Sequence, residues 1–272
     1  MRLLNIKPSR GQGVVLAALP FLVTGAAYLL FSALRLSENP HDKLLPAVGT
    51  MILTMRDLAF VPDPRTGDYI FWLDTISSLQ RLFVALAIST ICATIFGILM
   101  GLLPLAGALL NPFVAVVSMA PPLALLPILF IVMGLGEASK IALIVIGSLP
   151  VLIRDLALRV SELPREQFLK AQTLGASTWQ IALRVVLPQI LPRLIDSLRL
   201  TLGPAWLFLI AAEAIASDSG LGYRIFLVRR YLSMDVILPY VAWITLLAFL
   251  SDAGLVWLQR RAFPWFAAAR AA

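Results

Sequence analysis

Six apolar stretches, separated by polar segments, set the rhythm of the chain. A hydrocarbon core about 30 Å thick takes about 20 apolar residues per helix. Stretches of that kind run from Val14 to Leu34, about Leu79 to Leu103, Pro112 to Gly134, Ile141 to Ile153, about Leu198 to Ala216 and Val236 to Leu258. The fourth is short, so it either starts nearer Glu137 or sits among other helices rather than in lipid. The first follows Arg2, Lys7 and Arg10 as a signal peptide would, but its apolar run exceeds the usual length of about 7–15 residues. An uncleaved anchor is expected.

Two polar segments carry structure of their own. Ser37 to Asp74 is punctuated by prolines and predicts a short helix from Ala47 to Ala59. Ser161 to Leu194 is more ordered. Pro164 suits the first position of a helix, with Glu166 in the turn where the dipole favours an acid. Phe168, Ala171 and Leu174 recur at helical spacing as one apolar stripe. Gly175 is a natural left-handed stop. Ser177 followed by Gln180 gives a capping box that restarts the chain. The second helix is expected to run to Leu187, where Pro188 and Pro192 bend or end it. The result is a helix–glycine–helix hairpin. It suits a groove on another protein, or equally an amphipathic linker meeting anionic lipid.

Composition settles the class. Hydrophobic residues make up 60% and charged residues 14%, against roughly 25% charged in soluble domains, and the mean hydropathy is +0.91. A soluble core could not hide so much apolar surface, and disorder fails on the same figures. Cys92 stands alone, so there is no disulfide scaffold, and the single His41 cannot build a zinc site. The expected fold class is all-α: a polytopic membrane protein with about six transmembrane helices.

The net charge of +7 would suggest nucleic acid in a soluble protein; here it asks which side of the membrane the cations occupy. With six spans both termini share a side. That side receives Arg2, Lys7, Arg10, Arg154, Arg159, Arg165, Lys170, Arg184, Arg193, Arg199, Arg260, Arg261 and Arg270, the larger part of the 22 basic residues. Both termini and the loop after the fourth span are therefore expected to be cytoplasmic, with no nucleic-acid partner. The chain then divides into a cytoplasmic tail (1–13), a first span (14–34), an external segment (35–74), a five-helix core (75–259) holding a cytoplasmic loop (154–197), and a second tail (260–272).

Word order adds a further clue. AQTLGAS followed by VVLP, with Gly175 thirteen residues before Pro188, resembles the EAA loop of ABC importer permeases. APPLALLPILFIVMGLGEASKIALIVIGSLP (Ala120 to Pro150) and GPAWLFLIAAEAIASDSGLGYRI (Gly203 to Ile225) resemble the nitrate/sulfonate/taurine/bicarbonate branch of that family. The resemblance covers roughly Asp74 to Trp265. It implies that the loop forms coupling helices seated in a cleft of an ATPase subunit, with Glu166, Phe168, Ala171, Leu174, Gly175, Ala176, Ser177, Leu187 and Pro188 at the contact. It further implies two ATPase subunits that hold ATP and magnesium, and a second permease copy or a paralogue. An extracytoplasmic solute-binding protein, membrane lipid around the spans and a place in the bacterial inner membrane follow as well. The implied cargo is a small oxyanion or organosulfonate such as nitrate, taurine, alkanesulfonate or bicarbonate. One departure stands out: the family's Glu-Ala-Ala is Leu169-Lys170-Ala171 here, with Glu166 nearly a turn earlier.

The chain has no P-loop; GLGEASKI (Gly134 to Ile141) lacks the glycine before lysine and the hydroxyl after it. HExxH, GxSxG and a Cys/His pair are missing too. No cofactor of its own is expected, and the energy must come from a partner. Within the spans, Glu213 and Asp252 are either functional carboxylates or structural hydrogen bonds between helices. Ser217, Asp218, Ser219 and Gly220 are either an ordinary turn or unwound backbone lining a cavity. Pro121, Pro122, Trp206, Glu213, Ser217, Ser219 and Gly220 are the expected path residues. Gly97 and Gly101 match a small-residue packing motif. A self-contained secondary carrier or a membrane scaffold remain the alternatives, the first needing ion-coupling acids and the second no ordered docking loop.

Overall fold

The computed structural model describes residues 9–40, 42–64 and 66–266. The readings made above on Arg2, Lys7, His41 and Arg270, and the outermost parts of both tails, lie outside the described residues. The chain forms two compact units, one running up to Phe71 and including Val228–Tyr240, the other made of Trp72–Leu227 and the residues from Val241 onward.

In the first unit, α1 (Arg10–Glu38) opens with a capping box in which Ser9 and Gln12 each accept from the other's backbone N–H. At 29 residues it is about 44 Å long, more than a hydrocarbon core requires. Its apolar side chains are exposed nearly all round, as a helix surrounded by lipid demands. Two hydroxyls tie it to the following loop: Tyr28 donates to the Pro46 carbonyl at 2.7 Å and Ser32 to that of Leu45 at 2.9 Å. In that loop Asp42 accepts from the Leu44 N–H and from Arg35, which hold its carboxyl below the ordinary range. The expected short helix is α2 (Val48–Phe60), and its Thr54 hydroxyl donates to Asp235 at 3.1 Å.

The second unit contains most of α3 (Ile70–Leu102), then α4 (Pro104–Val117), a 3-10 turn at Pro122–Leu125, and α5 (Leu126–Met133). Next come α6 (Glu137–Ser161), α7 (Arg165–Thr173), α8 (Thr178–Ile181), a π-helical turn at Ala182–Val186 and α9 (Leu187–Ile215). α10 (Leu221–Val228) and α11 (Met234–Ala262) complete the chain. Among the described residues there are no strands. Five helices are long and apolar enough to cross a membrane, and six spans result if the bent pair of α4 and the turn–α5 segment counts as one.

That pair replaces the single span expected over Pro112 to Gly134. It starts at Pro104 and bends by 80°. Pro121 and Pro122 withhold two backbone donors and push the residues before them away from helical geometry, so the break falls there. The fourth span does start at Glu137. A second correction concerns the prolines after the hairpin. Pro188 and Pro192 do not end the helix, which continues from Thr178 to Ile215. The wider π turn passes the Leu187 N–H to the Ala182 carbonyl, and Pro188 then falls in the first turn of α9, where no donor is required.

The core is built on close helix contacts. A Cβ on Gly97 would lie 2.6 Å from the Leu156 Cβ, and one on Gly101 2.5 Å from the Val160 Cβ. The small-residue motif is thus the seam between α3 and α6. α9 meets α11 through a bidentate fork, Arg199 Nε and Nη2 to Asp252 at 2.7 and 3.0 Å. Gln259 adds bonds to the Pro192 carbonyl and to Asp196. Of the two readings of Asp252, the structure shows the interhelical bond.

Candidate functional site

Two features of the second unit stand apart from simple packing, at opposite ends of α6 and α9. The first is the hairpin between them. α7 closes with Gly175 at φ 81°, where the Ala176 N–H returns to the Ala171 carbonyl (3.0 Å) and the Gly175 N–H to that of Gln172 (2.9 Å). This double bond pattern fixes the reversal. Ser177 and Gln180 then cap α8 reciprocally, at 3.3 and 2.8 Å. Gln189 of α9 donates to Gln167 of α7 at 2.9 Å, and Glu162 accepts from Arg159 and Arg193. The hairpin is therefore a fixed projection rather than a loose loop.

What it presents is apolar. Leu174 is 88% exposed and Trp179 71%, with Leu169 beside them. Phe168, Ala171 and Ala176 are half-buried, so the expected stripe turns partly toward its own chain and leaves Leu174 outward. Glu166, Ser177 and Pro188 are exposed, and Leu187 lines an apolar cavity of about 320 Å³ with Ile98, Leu102, Trp179 and Leu183. Trp179 was not anticipated. Its signal was there: a large aromatic one residue inside a capped turn, in a segment otherwise polar.

The second feature is a polar cluster joining the start of α3, the start of α6 and the reversal between α9 and α10. The Glu213 side chain has no exposed area. Its carboxylate accepts from the Ser78 hydroxyl (2.8 Å), Arg81 Nη1 (2.7 Å) and the Gly222 N–H (2.9 Å). Arg81 reaches further: Nη1 to the Ser219 carbonyl at 2.8 Å, and Nε with Nη2 to the two oxygens of Glu137 at 2.5 and 2.8 Å. Lys140 Nζ bonds Glu137 and the Ser217 hydroxyl at 2.9 and 3.1 Å. Asp74 accepts from Arg224 at 2.8 Å and from the Gly220 N–H at 2.9 Å. Three cations thus meet three carboxylates in one connected network.

Of the expected path residues, Glu213, Ser217, Ser219 and Gly220 come together in this cluster. Asp218 points outward from the same segment. Gly220 has φ 128°, and a Cβ there would lie 2.5 Å from the Glu213 carboxyl carbon. Pro121 and Pro122 mark the break after α4 and are not part of the cluster. Trp206 is buried within α9, its indole N–H without a partner among the described residues. Arg81, Glu137, Lys140, Asp74 and Arg224 escaped the sequence reading. Asp74, Ser78 and Arg81 recur at four- and three-residue steps in an apolar helix, a polar stripe that could have revealed them.

This helical membrane protein thus carries a rigid apolar projection at one end of its core and a buried ionic cluster at the other. Residues 93–264 match the family described as binding-protein-dependent transport system inner membrane component. The chain belongs to that family, as a permease subunit of an ABC importer without an ATPase site of its own. It is 39% identical to the taurine transport system permease protein TauC of Escherichia coli, over 73% of this chain and 72% of that one. It is 33% identical to the bicarbonate transport system permease protein CmpB of Synechococcus elongatus, over 70% and 69%. A putative aliphatic sulfonates transport permease protein, SsuC of Escherichia coli, is 31% identical over 58% and 60%. The fold also matches a chain of the MetNI methionine ABC transporter, with a TM-score of 0.63 at 19% identity, over 73% of this chain and 99% of that chain.

Proposed function

We propose that this chain forms the path of an ATP-driven importer for a small oxyanion or organosulfonate, and that the α7–α8 hairpin is its contact with the ATPase. The exposed Leu174 and Trp179 on a doubly fixed turn carry the reading of the hairpin, because apolar side chains held rigidly in water are favourable only when a partner covers them. The relatives named for taurine, bicarbonate and sulfonates support the cargo class. In this reading the hairpin and both termini are cytoplasmic, as the basic residues favour, and the Glu213 cluster lies at the outer end. Two ATPase subunits hold ATP and magnesium, a second copy or a paralogue completes the path, and an external binding protein delivers the cargo. ATP-driven approach of the ATPases pushes the two hairpins together and turns the path outward; their separation turns it inward.

Leu174→Glu combined with Trp179→Glu puts two charges into the proposed groove at side chains that are mostly exposed. Copurification of the ATPase with the permease, and ATP hydrolysis by the complex in liposomes, should both fall at least about tenfold, as desolvating unpaired charge costs several kcal/mol. Undiminished copurification would remove the hairpin from the interface. Orientation has its own test: cysteines placed at Asp63 and Thr173 should react with an impermeant maleimide from opposite sides of the membrane. Reaction from one side would break the six-span arrangement.

A further inference from the structure

Glu137 differs from every other acid in the cluster. The side chains of Glu213 and Asp74 have no exposed area, and those of Arg81 and Lys140 are 5% and 4% exposed, whereas that of Glu137 is 58% exposed. Two buried cations therefore share one carboxylate that faces outward. Nη1 of Arg81 bonds Glu213 and the Ser219 carbonyl, while Nε and Nη2 form the fork to Glu137, with Nη2 also reaching the Ser219 hydroxyl at 3.4 Å. Lifting Glu137 away would leave that fork and the Lys140 ammonium with only the Ser219 and Ser217 hydroxyls, and would leave the Glu213–Arg81 pair intact.

With Glu137 gone the buried Lys140 ammonium loses its carboxylate and Arg81 keeps one of its two, which is strongly unfavourable, so Glu137 can leave only as another anion arrives. The geometry states what that anion must be. A guanidinium fork takes two oxygens on one centre, and Lys140 adds a third donor beside them. With Glu137 in place the charges of Arg81, Lys140 and Arg224 balance those of Glu137, Glu213 and Asp74, so a substitute carrying one negative charge keeps the balance and a dianion does not. Glu137 is also the first residue of the 25-residue α6, whose N-cap Gly136 offers no side chain to the free amides; that end favours an anion further.

We propose that Arg81 and Lys140 form an exchangeable seat for a monoanion, held at rest by Glu137 and taken over in transport by the sulfonate or carboxylate head of the cargo. This rests on the reading of the protein as an importer of such anions. Uptake then includes a ligand exchange at the outer end: the cargo head enters, the Glu137 carboxylate swings into water, and the reverse exchange releases the cargo and closes the seat again.

The test uses the whole permease–ATPase complex in lipid nanodiscs with sodium methanesulfonate as the probe, chloride making up constant ionic strength. Glu137→Ala should lower the thermal midpoint, and methanesulfonate or acetate should raise it again by several degrees, as ligand linkage requires; sulfate and neutral dimethyl sulfone should not. The wild-type midpoint should not move. Glu137→Gln should bind methanesulfonate at least about tenfold more tightly than the wild type, because the competing internal charge is gone. Adding Lys140→Met should abolish both effects. A variant that assembles only when methanesulfonate is present during extraction supports the seat, and one that no anion rescues overturns it. Taurine uptake by wild-type proteoliposomes supplied with the external binding protein and ATP is read separately. Uptake without anion rescue fells the seat and leaves the cargo class standing; anion rescue without uptake of any sulfonate or carboxylate fells the cargo class.

Discussion

Replacing Gly175 by valine is expected to abolish coupled uptake while leaving the helices inserted. At φ 81° a β-branched side chain is strained by about 1–2 kcal/mol or more, although nothing lies within 4 Å of where its Cβ would stand. The cost is therefore conformational, and the chain can relieve it by giving up the two bonds from Ala176 to Ala171 and from Gly175 to Gln172. Leu174 and Trp179 then lose their fixed spacing. Spans held by lipid and by the α3–α6 and α9–α11 seams do not depend on that turn. Expression and insertion should stay near the wild-type level, while ATPase copurification and cargo-stimulated hydrolysis collapse. Gly175→Ala should fall between, and Thr178→Ala, on an exposed first-turn position, should change neither. Normal coupling by Gly175→Val would reduce the hairpin to a linker.

The largest loss of stability should come from Glu213→Ala. This change strips an acceptor from Ser78, Arg81 and the Gly222 N–H at once, in a place without solvent. Removing one partner of a buried, hydrogen-bonded charge costs about 3–5 kcal/mol. Asp252→Asn is the comparison. It also breaks a bidentate arginine pair, but that carboxylate is partly exposed, and such pairs are worth about 0–1 kcal/mol. Thermal unfolding of the two variants in the same nanodiscs should therefore separate them clearly, with Glu213→Ala the far less stable. Equal midpoints would mean that the cluster is as well solvated as the Arg199–Asp252 pair, and the argument from burial would fail.

The class of protein, the number of spans and the hairpin were legible in the sequence because each rests on local rules. Span length follows from hydrocarbon thickness, and Pro164, Gly175, Ser177 and Gln180 act on neighbours within one helical turn. The same locality explains the errors. Pro188 signals a helix end when read alone, yet a π turn upstream places it where a proline costs nothing, and Ala182 and Leu187 show that only in three dimensions. Pro121 and Pro122 mark the place of the break after α4, but its 80° angle is seen only in three dimensions. The ionic cluster is the clearest case of tertiary decision. Arg81 and Glu213 are 132 residues apart, and Arg224 and Asp74 150 apart. No periodicity within one helix can report a pairing of that span. Sequence composition required that charges inside an apolar bundle find partners; the antiparallel packing of α6 and α9 beside α3 decided which ones, and left Glu137 alone among them facing out.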